Sequence, residues 1–82
     1  MVRVTVLYFS NLRLALGIDR EQVELPERTT ATAILEAIGR VHPAHAQEVS
    51  AARLAVNQAF AAGEVVLHEG AELAVITPVS GG

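Results

Sequence analysis

Gly81 and Gly82 close the chain, and their type and position lend themselves most readily to chemistry. A carboxylate is a poor electrophile at neutral pH, so a terminal glycine reacts only after its acid is joined to a good leaving group such as AMP. Attack by sulfur on that mixed anhydride would give a thiocarboxylate. The product is a nucleophilic sulfur on a thin rod, suited to delivery into an enclosed site where water would otherwise compete. Neither glycine has a Cβ, so both fit a channel scarcely wider than a backbone. Pro78 fixes its own φ at about −65° and pushes Thr77 towards extended geometry, which gives Pro78-Val79-Ser80-Gly81-Gly82 a set direction of departure. At roughly 3.3 Å per residue this tail reaches about 17 Å.

The other polar candidates read as ordinary surface. His42, His45 and His68 share no metal-binding spacing with carboxylates, although His42 and His45 could meet on one turn; surface or helix-end roles are expected, and no metal. Ser80 is a lone hydroxyl with no base beside it. Glu69 and Glu72 flank a turn and read as a solvated pair. No glycine-rich phosphate loop with its lysine is present, so the chain is not expected to bind ATP alone.

Composition narrows the field further. The absence of cysteine excludes disulfides, thiolate metal sites and cysteine nucleophiles, so any sulfur chemistry must use sulfur brought from elsewhere. Net charge is −3, from nine acidic and six basic residues with no basic cluster, which argues against nucleic acid and suits a basic protein partner. Every basic residue is arginine. Without lysine the chain cannot form lysine-linked chains of itself. No apolar run approaches the roughly 18 residues of a membrane span, and the N-terminus lacks a leader pattern, so a soluble cytoplasmic protein is expected. Eighty-two residues make one domain with a stability on the order of 4–12 kcal/mol.

The run before the tail must position it. Glu72 to Thr77 predicts a strand with Leu73 and Val75 on one face and Ala74 and Ile76 on the other, apolar on both, flanked by neighbours and buried by a helix. Val2, Val4, Val6 and Tyr8 alternate with Arg3, Thr5, Leu7 and Phe9, predicting an opening strand with one face on the core and the other partly covered. Ser10 to Gly17 predicts a loop or helical turn closed by a left-handed glycine. Asp19 to Leu25 alternates weakly until Pro26 and pairs antiparallel with the first strand.

Thr30 is a plausible N-cap, and Ala31, Ile34, Leu35, Ile38 and Val41 repeat at three and four, predicting a helix that ends at His42-Pro43. Gly39 costs that helix about 1 kcal/mol relative to alanine and marks close packing or an early fray. Ala44 to Ala52 predicts one or two helical turns. Arg53 to Gln58 reads as a short strand ending in a turn where Asn57 bonds local backbone, Ala59 to Gly63 as connection, Val65-Val66-Leu67 as a short extended piece and Glu69-Gly70 as a turn.

The sum is an α+β fold in which a main helix covers one face of a small mixed sheet. First and last strands side by side would form a central parallel pair, the plan of a ubiquitin-like β-grasp, with the tail anchored in mid-sheet. Residues 1–82 then form a single domain, with 78–82 protruding.

Tyr8-Phe9 with Leu12-Arg13, the Leu54-Ala55-Val56-Asn57-Gln58 segment, and above all the stretch from Glu69 to Gly82 resemble the small, sulfur-carrying subunits of molybdopterin synthase. The resemblance implies a β-grasp whose terminal glycine is adenylated by an activating enzyme, with ATP used in trans and no cofactor bound by the carrier alone. It further implies a thiocarboxylate, sulfur from a donor protein, and insertion of the tail into a large subunit within a heterotetramer of two small and two large chains. There sulfur passes to cyclic pyranopterin monophosphate to form molybdopterin. By the same resemblance Gly82 bears the sulfur and Gly81 gives a slim approach, while Pro78, Val79 and Ser80 make extended contacts with the partner. Phe9 and Ile76 are expected as apolar contacts on the body and Arg13 as a charged one, although Phe9 reads equally well as core. Two positions depart from the family pattern. Ala71 stands where an aspartate is common, which weakens a turn, and Thr77 replaces a proline, restoring an N–H the sheet could use. Carriers for thiamin, cysteine or tungsten-pterin synthesis share the fold and the diglycine, and a ubiquitin-like modifier or binding module is the alternative of a different class.

Overall fold

Valine at every second position gives the opening strand its two faces, and a computed structural model, which describes residues 1–78, shows which face goes where. In β1 (Val2–Tyr8) Val4, Val6 and Tyr8 are buried while the intervening residues are not. A short helix, α1 (Ser10–Leu16), follows and stops at Gly17, whose φ of 75° is the left-handed closure its type permits. β2 (Arg20–Leu25) returns antiparallel to β1, with Val2 opposite Leu25 and Leu7 opposite Arg20.

The main helix, α2 (Ala31–Val41), begins where expected: the Thr30 Oγ1 accepts the Ala33 N–H at 3.0 Å. Its apolar stripe buries Ile34, Leu35 and Ile38 against the sheet, beside Val4, Val6, Leu73 and Val75. His42 caps its C-terminus. A 3-10 turn (Pro43–His45) and α3 (Ala46–Ser50) supply the predicted helical turns and fold back onto α2. Gly39 is there for close packing, since a Cβ on it would stand 3.4 Å from Ala46.

Two strands went unforeseen. β3 (Arg28–Thr30) pairs antiparallel with β6 (Glu64–Val66) in a small second sheet, and β5 (Ala59–Ala61), expected as connection, pairs with β4 (Arg53–Val56). Asn57 and Gln58 make the turn of that hairpin with φ of 47° and 74°, the two positive values that match strand twist. Asn57 does more than bond local backbone. Its Oδ1 accepts the Glu72 N–H at 2.9 Å and its own N–H donates to the Glu72 carbonyl, which ties the hairpin to the start of the last strand, β7 (Glu72–Ile76).

The sheet order β2-β1-β7-β4-β5 puts β1 and β7 side by side and parallel, with Tyr8 opposite Val75. β4 flanks β7 on its other side, antiparallel, with Arg53 opposite Ile76. This is the β-grasp arrangement. The turn before β7 holds without the aspartate: Gly70 takes φ of 84° and donates to the Arg3 carbonyl, and the Ala71 N–H donates to the His68 carbonyl. Glu69 and Glu72 are both exposed, as expected, and Glu69 also accepts the Arg3 N–H at 3.0 Å.

Candidate functional site

The tail follows an interior strand of the sheet. β7 is hydrogen-bonded on both sides, Leu73 and Val75 are fully buried, and the pairing with β4 runs to Ile76. Thr77 is half-buried and lies past the last strand residue, and Pro78 is exposed. The sequence-predicted residues Val79, Ser80, Gly81 and Gly82 lie outside the described residues.

Helices cover one face of the sheet, and the other is apolar at its centre. Register places Arg20, Leu7, Ala74, Ala55 and Phe60 in one row across all five strands. Ile76 and Arg53 form the next pair towards the tail, and the Arg53 guanidinium lies over the Phe60 ring at 4.0 Å from its centroid. Phe60 is 59% exposed, a large aromatic on an edge strand whose ring meets the Arg53 guanidinium and is otherwise largely open among the described residues. The expected double-sided burial of β7 therefore holds on the helix side only: Ala74 and Ile76 are half-buried on the open face. An apolar patch bordered by arginines beside the end of the last strand is what a docking surface requires.

Of the residues expected on the body, Ile76 sits in this patch. Phe9 extends past the end of β1 with 45% of its surface exposed, which removes the core reading and leaves it free for contact. Arg13 is exposed one turn into α1, where its N–H donates to the Phe9 carbonyl; it lines a shallow cleft with Asp19 and Arg20. Sequence reasoning missed Leu7, Ala74 and Phe60, which keep exposed surface in this row; Ala55 between them is buried. Phe60 was hidden because it fell in a stretch read as connection; the others were assigned to strands without asking which face remained open.

A polar cluster lies under the same end of the sheet. One oxygen of Glu21, Oε2, is 2.5 Å from both the Tyr8 hydroxyl and the His42 Nε2. Because a carboxylate accepts only, the phenol donates and Nε2 must carry a proton. His42 is indeed a helix-end residue, but it meets Glu21 rather than His45, which instead pairs with Glu48. The signal for Glu21 was its place in β2, on the same side as Val23 and Leu25. Burial above all, then the hydrogen bond and charge of Glu21, raise the Tyr8 pKa well above its ordinary 10.0. A raised pKa means that the folded state holds this proton more tightly, so its contribution is complete below about pH 10 and is lost as pH climbs beyond it. Alkaline unfolding curves should therefore be steeper for the parent than for Tyr8→Phe; parallel curves would contradict the linkage.

No group of His, Asp or Glu suited to a metal occurs among the described residues. Among the described residues no helix is long and apolar enough to cross a membrane.

A β-grasp with a segment issuing from its central parallel pair defines the class of ubiquitin-like carriers and modifiers. The chain belongs to the ThiS family, whose model matches residues 6–82. Over its whole length it is 34% identical to the molybdopterin synthase sulfur carrier subunit of Mycobacterium tuberculosis, with both chains fully covered. It is 33% identical to the human subunit of the same name, covering 100% of this chain and 97% of that one. Among solved structures, SAMP1 of Haloferax volcanii superposes with a TM-score of 0.75 at 26% identity, covering 98% of this chain and 99% of that one.

Proposed function

We propose that the chain is the sulfur-donating small subunit of a molybdopterin synthase. Gly82 is adenylated by a separate activating enzyme that binds the ATP. A donor protein's persulfide then displaces AMP: a carbon–sulfur bond forms at the Gly82 carbonyl, the bond to AMP breaks with its electron pair, and a thiol reductant supplies the two electrons that cleave the sulfur–sulfur bond to the donor, leaving a thiocarboxylate. The large subunit receives the tail, with two small and two large chains in the assembly, and the sulfur passes to cyclic pyranopterin monophosphate in the cytoplasm. The chain brings no acid, base or metal to this chemistry; its contribution is to present the carrier carbon at a fixed distance from a firm body.

The reading is carried by the position of β7. A tail that must enter a partner's cavity without pulling its own domain apart is best rooted on an interior strand, and Ile76 is the last residue of one. The open face beside it gives the partner a surface on which to seat. In this account Phe60 is an anchor of that interface, and Phe60→Ala should weaken binding to the large subunit by about tenfold or more while the thermal midpoint stays put. Calorimetric titration checks this, and unchanged affinity would remove the open face from the interface.

Reconstitution tests the function: the chain, activating enzyme, sulfur donor, large subunit and pterin precursor should together yield molybdopterin, and omission of the chain should not. Similarity to SAMP1 of Haloferax volcanii favours a second reading, a modifier whose Gly82 is ligated to a lysine of another protein. Conjugates of higher mass in lysate, lost when Gly81 and Gly82 are removed, would support that reading instead.

A further inference from the structure

An acyl group activated at Gly82 would be exposed to every nucleophile within reach of the tail. Amines and thiols are the side-chain groups that most readily consume acyl adenylates and thioesters. The sheet end at the tail root is formed by the C-terminal ends of β1 and β7 and the starts of β2 and β4, and it carries Arg20 and Arg53. Their guanidiniums stay protonated and offer no lone pair, whereas a lysine amine at the same places would. Nearby, the Tyr8 phenol donates to Glu21 and is held protonated by burial, and His42 presents its Nε2 to the same oxygen.

The sequence has no lysine and therefore no side-chain amine, and Arg3, by contrast with Arg20 and Arg53, stands at the opposite end of the sheet because β1 runs parallel to β7.

We propose that the fold protects an activated Gly82 from its own chain by setting arginines in place of lysines around the tail root. The proposal rests on the reading of Gly82 as an activated terminus. The reaction avoided is acyl transfer: a neutral amine attacks the Gly82 carbonyl, a carbon–nitrogen bond forms, the bond to AMP or thiol breaks with its electron pair, and the spare proton goes to solvent.

The test uses the full chain carrying an alkyl thioester at Gly82, installed by intein thiolysis, so that no activating enzyme is involved. At mildly alkaline pH the parent should revert to the free acid alone. Arg53→Lys, which keeps the charge and brings an amine beside Ile76, should lose the thioester about tenfold faster and give a cyclic product about 18 Da lighter than the acid. Arg3→Lys, at the far end, should behave as the parent. Cyclisation of the parent, or an Arg53→Lys chain that only hydrolyses at the parent rate, would overturn the proposal. A chain inert in this assay that failed reconstitution would refute the proposed function and leave this inference standing.

Discussion

Deletion of Gly82 should lower molybdopterin formation about a thousandfold or more in the reconstituted system, because under the proposed function it removes the carbon that would carry the sulfur and shortens the reach of its successor. A tail cut by one residue still ends in a glycine, Gly81, so the chemistry of the terminus is retained. What is lost is position: one residue is roughly 3.3 Å of reach, several times the misplacement that costs a reacting pair a hundredfold. The fold should not notice, since β7 ends at Ile76 and the core is complete without the tail. Equal thermal midpoints and a lost activity would separate the two effects, and activity within tenfold of the parent would remove Gly82 from the mechanism.

The largest effect on the body should come from Leu73→Ala. Leu73 is fully buried on the interior strand, opposite Val6 of β1 and Val56 of β4, and belongs to the same core as Ile34 and Ile38. Truncation there leaves a cavity that flanking strands, fixed by their ladders, cannot close, and costs about 2–5 kcal/mol. Against a total of about 4–12 kcal/mol for a chain of this length, that is a large share of the stability. Urea denaturation measures it directly. A loss below about 1 kcal/mol would mean that the centre of the sheet relaxes far more than its packing implies.

What could be read in the sequence was whatever repeats. Alternating valines gave β1, the three-and-four spacing of Ile34, Leu35, Ile38 and Val41 gave α2, and Thr30 and Gly17 marked ends that the backbone respects. Short elements with no period escaped. Arg28–Thr30 is three polar residues wedged between Pro26 and a helix cap, and it is a strand only because Glu64–Val66 comes to meet it. Ala59–Ala61 follows an Asn-Gln turn with no glycine to announce a hairpin. The Tyr8, Glu21 and His42 cluster needs the end of α2 to cross the edge strand, a fact of packing that no local spacing encodes. Similarly, the open face could be recognised only once register had aligned Leu7, Ala74, Ala55 and Phe60. The tail was the reverse case: the expectation for it came from residue type alone, and the place of β7 inside the sheet followed from pairing the first strand with the last.

The central claim is that the Gly82 carboxyl is loaded with sulfur, and intact mass spectrometry tests it most directly. After incubation with ATP, the activating enzyme and a sulfur donor, the chain should pass through an adenylate and settle about 16 Da heavier, one oxygen replaced by sulfur. A mass that never moves, with partners shown to be active on another carrier, would contradict the account.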